Sequence, residues 1–166
     1  MKKTLPKKKP LQPKASRPHM PGYGITKSKK GILSWKWAAE RLSKSHQYWI
    51  ATTRPNGAPH VMVIWGLWMP DGFYFSTGKT SRKARNLAEN PHCIICSDNS
   101  AQAVIVEGTV ETIPPANLAD VYATYKKKYK VDVSGMEEPL YRLRPKVVFG
   151  LFEKKFVSTA TRWKFA

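Results

Sequence analysis

The stretch ATTRPNGAPHVMVIWGLWMPDGFYFSTGKTSRKARNLAENPHCIICSD, residues 51–98, decides the fold. Its start completes QYWIATTR (47–54), an aromatic and β-branched run that reads as a strand. PNG at 55–57 is a hairpin turn. PHVMVIWGLWM (59–69) then reads as one long strand. Met62, Ile64 and Trp68 share one face, and Val61, Val63, Trp65 and Leu67 share the other. A strand apolar on both faces is expected to be buried on both. In a chain this small, one face can line a barrel while the other meets a second subunit. PDG (70–72) turns the chain again, and FYFST (73–77) returns as a third strand. TSRKARNLAENP (80–91) is a short helix capped by Thr80 or Ser81, with Ala84, Leu87 and Ala88 facing inward and Asn90-Pro91 stopping it. HCIICSD (92–98) is a further strand.

Outward from that stretch the pattern stays antiparallel. Ser34 caps a helix whose Trp35, Ala38, Ala39 and Leu42 lie on one face. AVIVEGTVETI (103–113) is a strand, and Pro114-Pro115 opens a helix to about Lys130 with Leu118, Val121, Tyr122 and Tyr125 at helical spacing. KVVFGLF (146–152) and TRWKF (161–165) are the last strands. No βαβ series occurs, so the fold expected is mainly β, a closed or partly closed barrel with flanking helices.

Composition sets the outer bounds. With 166 residues and 42% hydrophobic, the chain suits one domain with a real core. The longest uncharged stretch, Pro55 to Pro70, is broken by Asn56, Gly57, Pro59 and His60, which argues against a membrane span. MKKTLPKKKPLQPKAS lacks the apolar region of a secretory signal, and two cysteines suit a reducing cytoplasm. The net charge is +18, and residues 1–30 hold ten of the 29 Lys and Arg but none of the 11 Asp and Glu, which leaves +8 on the rest. Residues 1–20 therefore read as a disordered basic tail and 21–166 as the domain, with Tyr23 and Ile25 pinning the join. The tail could touch nucleic acid only loosely, because no aromatics alternate with its lysines.

Familiar catalytic sets are missing. His19, His46, His60 and His92 have no zinc-ligand spacing. Cys93 and Cys96 point to opposite faces of a strand and read as small apolar side chains. Glu107 and Glu111 read as solvated rather than as an acid–base couple, and no catalytic residue and no metal ligand is assigned. The informative segment is STGKTSRKARNL (76–87), where Ser76, Thr77, Thr80 and Ser81 meet Lys79, Arg82, Lys83 and Arg85 at the start of a helix. Hydroxyls, cations and free backbone N–H groups there make an anion site suited to phosphate or carboxylate.

Together with PHMPGYGI, the Trp35–Leu42 pattern and the closing ATRWKF, residues 51–98 resemble the pyridoxamine 5′-phosphate oxidase-like superfamily. Within it the chain is most similar to the flavin- and deazaflavin-dependent oxidoreductases, over about Gly22 to Ala166. The resemblance implies a six-stranded split β-barrel of the FMN-binding type, working as a homodimer with the cofactor at the interface. It places the cofactor ring along His60, Val61, Met62, Val63, Ile64 and Trp65, and the phosphate at Ser76, Thr77, Ser81, Arg82 and Lys83. True pyridoxamine phosphate oxidases carry a basic residue at each end of the ring motif, where this chain has His60 and Trp65. Their C-terminal Arg-x-His is replaced by ATRWKF, and the M-P-V-W of many relatives is Met62-Val63-Ile64-Trp65 here. Oxidation of pyridoxamine phosphate is therefore not expected.

The function implied is a redox enzyme that uses FMN or the deazaflavin F420 on a small-molecule substrate. Lys79, Arg85 and the Lys126–Lys130 cluster would suit the polyglutamate tail of F420, whereas FMN needs one phosphate site. The alternatives are a flavin- or haem-binding protein without turnover, and a nucleic-acid-binding module.

Overall fold

The structure is a computed structural model that describes residues 12–114 and 118–166. In order, the elements are β1 (Lys14–Ser16), α1 (Trp35–Lys44), β2 (Tyr48–Thr53), β3 (Pro59–Ile64), β4 (Leu67–Met69), β5 (Gly72–Ser76), α2 (Arg82–Glu89), β6 (His92–Ser97), β7 (Gln102–Ile113), α3 (Ala119–Tyr129), β8 (Leu140–Phe152), α4 (Phe156–Thr159) and β9 (Thr161–Lys164). Among the described residues, no helix is long and apolar enough to cross a membrane.

The hairpin forms where PNG predicts it. Gly57 takes φ +83°, Arg54 N–H donates to Ala58 C=O at 2.9 Å, and Asn56 Oδ1 accepts from Ala58 N–H at 3.2 Å. The long strand expected over 59–69 is instead broken at Trp65-Gly66. At Gly66 a Cβ would stand 2.2 Å from Phe73 Cζ and 2.8 Å from the Tyr74 carbonyl oxygen, so only glycine fits. β3 stays on β2, while β4 pairs with β5, which pairs with β8. The ladder then runs β8–β7–β6–β2–β3. Among the described residues the ladders thus leave the ring of strands open, and the chain through residues 65–66 joins its two ends. Taken as one kinked strand, β3 and β4 complete the six strands of a split barrel.

Tyr48, Ile50, Phe73, Phe75, Ile95 and Trp163 are buried in the barrel, and Ala38 and Leu42 of α1 close one side. Ser34 caps α1 as expected, its hydroxyl accepting from Trp37 N–H. β3 departs from expectation. Val61 (51% exposed), Met62 (47%) and Val63 (40%) leave both faces open in the single chain.

Three boundaries also differ. β8 begins at Leu140 rather than at 146, because Pro145 masks a strand that continues through it. The register shifts between Glu107 and Gly108 opposite that proline, and Gly108 lets the Arg144 carbonyl approach. α3 starts at Ala119, later than Pro114-Pro115 predicts, and residues 115–117 lie outside the described residues. Residues 1–11 of the basic tail also lie outside them, but Lys14–Ser16 pairs with β9 instead of being disordered. Arg17 Nε, Nη1 and Nη2 donate to the carbonyl oxygens of Ser28 (2.8 Å), Ala160 (3.0 Å) and Lys30 (2.7 Å). One guanidinium thereby ties the arm to the domain.

Candidate functional site: a pocket between a hydroxyl-rich turn and an aromatic wall

The turn after β5 assembles much as its sequence predicts. Ser81 is the N-cap of α2, its hydroxyl accepting from Ala84 N–H at 3.1 Å. Thr77 Oγ1 lies 3.1 Å from Ser81 Oγ, and Ser81 N–H donates to Gly78 C=O at 2.9 Å, so the turn is braced from within. Ala84 and Leu87 anchor the helix inward, but Ala88 is exposed and the buried third residue is Asn86. Lys79 N–H donates to Glu138 Oε2 at 2.7 Å. The turn thus already attracts one carboxylate, as the cations and amides around it require.

A pocket of about 370 Å³ opens beside this turn. Ser76, Thr77, Gly78, Lys83 and Glu138 form its polar end. Val63, Ile64, Trp65 and Leu67 form the wall from the kinked strand, and Val121, Tyr122 and Tyr125 of α3 face them. Val133 and Met136 of the following loop complete the rim. Six of the eleven residues expected to hold a cofactor therefore line one cavity: Val63, Ile64, Trp65, Ser76, Thr77 and Lys83. Ser76 Oγ donates its only proton to Pro139 C=O at 2.9 Å, which leaves it an acceptor toward the pocket. Ser81 acts through its cap. Arg82 is exposed beyond the lining, Val61 and Met62 face outward, and His60 is half-buried near α2. Burial, together with the charges of Arg54, Lys83 and Arg82, lowers the His60 pKa below its ordinary value.

The aromatic wall is held from behind by a network that the sequence does not announce. Trp65 stacks on Tyr129 with ring centres 4.8 Å apart and planes 6° from parallel, and Tyr125 leans on Tyr129 at 4.6 Å. His46 meets both Trp65 and Tyr129 edge-on. The Tyr129 hydroxyl accepts from Gly66 N–H at 2.9 Å and lies 2.8 Å from the carbonyl oxygens of His46 and Gly66. Lys128 Nζ donates to Gly66 C=O at 3.0 Å and to the Tyr48 hydroxyl at 2.8 Å. Burial lowers Lys128 to about 8, against a smaller opposing pull from Asp98. Burial likewise raises Tyr129 to about 12. The Lys126–Lys130 cluster is therefore not one cationic surface, since Lys128 turns inward and Lys126 pairs with Asp132 at 2.7 Å.

The remaining candidates are structural. Burial pushes the Cys93 thiol up to about 12 and raises Cys96, so neither is a ready nucleophile. Glu111 is bridged rather than solvated, accepting from Arg142 and Arg144 at 2.6 Å each. Burial alone would raise its pKa, and those two bonds outweigh it and lower the value.

A mainly antiparallel, open six-stranded barrel with flanking helices is a split-barrel architecture. The family model of pyridoxamine 5′-phosphate oxidase matches residues 35–152, and the chain belongs to that family. The pyridoxine/pyridoxamine 5′-phosphate oxidase of Anaeromyxobacter dehalogenans is 43% identical over 76 residues, covering 44% of this chain and 38% of the relative. The one from Sphingopyxis alaskensis is 29% identical over 134 residues, covering 76% and 60%. The chain thus spans less than two thirds of the length of the curated relatives it matches. Among solved structures, an F420 reductase aligns with a TM-score of 0.54 at 24% identity, over 66% of this chain and 93% of that one. The haem storage protein HutZ of Vibrio cholerae aligns at 0.52 and 17%, over 72% and 94%. These likenesses fix the fold, and the fold serves both redox enzymes and binding proteins.

Proposed function

We propose that the chain is an oxidoreductase using FMN or F420 on a small-molecule substrate, with the cofactor phosphate at the 76–83 turn. The observation that supports this most is the pocket itself: one end brings Lys83 together with the Ser76 and Thr77 hydroxyls beside the Glu138 carboxylate, and the rest is an aromatic and aliphatic slot. An amphiphilic ligand with a flat ring and one phosphate suits both ends. Lys83 and Thr77 meet the phosphate, Arg82 adds charge from the rim, and Ser81 shapes the turn. Val63, Ile64 and Trp65 cover the ring together with Tyr122 and Tyr125, Val61 and Met62 extend that surface along β3, and His60 stands at the end of β3 nearest Lys83 and Arg82 of α2. When bound, such a cofactor supplies hydride or electron transfer, while the chain positions it and excludes water. No side chain is assigned as general acid or base.

The exposed edge and faces of β3 suit a second copy of the chain. Exposed valines, Met62 and Trp65 in one strip are an aggregation hazard unless covered, and a homodimer covers them beside the pocket. A cytoplasmic setting agrees with two free thiols in strand β6.

Titration of FMN and of F420, followed by fluorescence, tests the reading. Lys83→Ala removes a charged partner worth about 1.5–3 kcal/mol, so affinity falls about 10- to 150-fold. Arg82→Ala costs less, because Arg82 lies outside the lining. A parent protein that binds neither cofactor refutes the oxidoreductase reading, and a colour with haem absorption bands as purified favours a haem-binding role instead.

A further inference from the structure

Asn86 is fully buried on the inner side of α2, in a position where an apolar residue would pack at less cost. Its Nδ2 donates to Thr52 Oγ1 at 2.9 Å, and Thr52 is itself 2% exposed. Thr52 Oγ1 in turn lies 3.4 Å from His60 Nδ1 and 3.5 Å from the His60 carbonyl oxygen. The hydroxyl has one proton to place. The Arg54–Ala58 bond at the hairpin sets the alternation of the β2–β3 ladder, and that alternation makes Thr52 and His60 a hydrogen-bonded pair. The His60 carbonyl therefore already receives a main-chain donor, whereas ring Nδ1 has no other partner among the described residues. Asn86 Oδ1 is left without a partner. Turning the amide over would satisfy that oxygen but bury unpaired N–H donors, a worse exchange.

We propose that Thr52, braced by Asn86, is a positioning residue that holds His60 with its ring proton on Nε2, so that His60 donates a hydrogen bond to an oxyanion of a phosphate monoester at the 76–83 turn. The inference rests on the phosphate-site reading above. The charged groups acting on the ring are Arg54 of the hairpin and Lys83 and Arg82 of α2, all cations. They disfavour a protonated imidazolium, so the ring contributes a directed donor without a further charge. A hydroxyl feeding Nδ1 is what selects that tautomer.

Two measurements decide it. In protein labelled with 15N-histidine, at pH 8, long-range proton–nitrogen spectra report the tautomer with no ligand present, and His60→Gln assigns the signal. A protonated Nε2 with an accepting Nδ1 is the expected pattern. A proton on Nδ1, or two averaged nitrogens, overturns the assignment. FMN titration is then compared for the parent, Thr52→Val and Thr52→Ser. The valine variant should bind about three- to tenfold more weakly, and serine, which keeps the hydroxyl, should restore affinity. Equal affinity in Thr52→Val overturns the positioning role. If the parent binds no FMN, the phosphate reading fails, while the ligand-free spectrum still decides the Thr52–His60 contact.

Discussion

The two ends of the pocket are built on different scales. The polar end is mostly local: Thr77, Ser81 and Lys83 lie within seven residues, and the bonds of Thr77 and Ser81 run along the same turn, while Glu138 and Pro139 reach it from a distant loop. The aromatic end is assembled from afar. Gly66, Lys128, Tyr129 and Tyr48 meet across contacts that span 62 to 80 residues of sequence. The local end can lose a side chain and keep its backbone. The distant end is a mutual fit, so its failures should spread into the fold.

The sharpest way to break that contrast is Gly66→Ala. The added methyl would collide with the Phe73 ring and the Tyr74 carbonyl, and the loss of stability is expected to be about 3 kcal/mol, read by urea denaturation. A variant that melts with the parent would show that the kink is not fixed by packing. Arg17→Ala comes next, at about 1 kcal/mol, because its three carbonyl contacts are partly solvent-exposed. An unchanged melting temperature would return the arm to the role of a loose tail.

The smallest effect is the most diagnostic. Lys128 holds its proton less tightly in the folded chain, at about 8, than in the unfolded chain, whose lysines titrate near 10.4. Between those values the unfolded state binds more protons, so stability should rise with pH from about 8 to 10. Above pH 10 the raised Tyr129 reverses the trend, because unfolded tyrosines lose their protons first. Lys128→Met should flatten the rise, by less than about 1 kcal/mol after solvent screening. Identical pH profiles in parent and variant would remove Lys128 from the wall's support.

The same contrast explains what the sequence could reveal. The barrel was legible because alternation, turn residues and the Ser34 and Ser81 caps are local signals that agree with one another. That Thr77 and Lys83 come together at one turn was legible for the same reason. Trp65 was readable as part of an apolar strand, but the break beside it was not, since Gly66 is demanded by Phe73 in the next strand. Lys128 and Tyr129 were hidden inside KKKYK, a run that reads as solvated charge. Asn86 and Thr52 look like surface polar residues until β2 and α2 close over both. Arg17 was concealed by its company, because proline and lysine on both sides signal disorder while one guanidinium can catch three carbonyls. Glu138 lies in an unpatterned loop, and only the folded chain brings it to Lys79.

The open seam of the barrel lies in the wall of the pocket. Among the described residues no ladder bond crosses Trp65-Gly66, so no sheet pairing ties β3 to β4 and β5. What braces the seam is the clasp of Tyr129 and Lys128 on a single peptide unit, together with the flat contact of Trp65 on Tyr129. Trp65 and Leu67 stand on opposite sides of that unit and both line the slot. The width of the slot therefore depends on contacts from α3 as well as on the strands of the barrel.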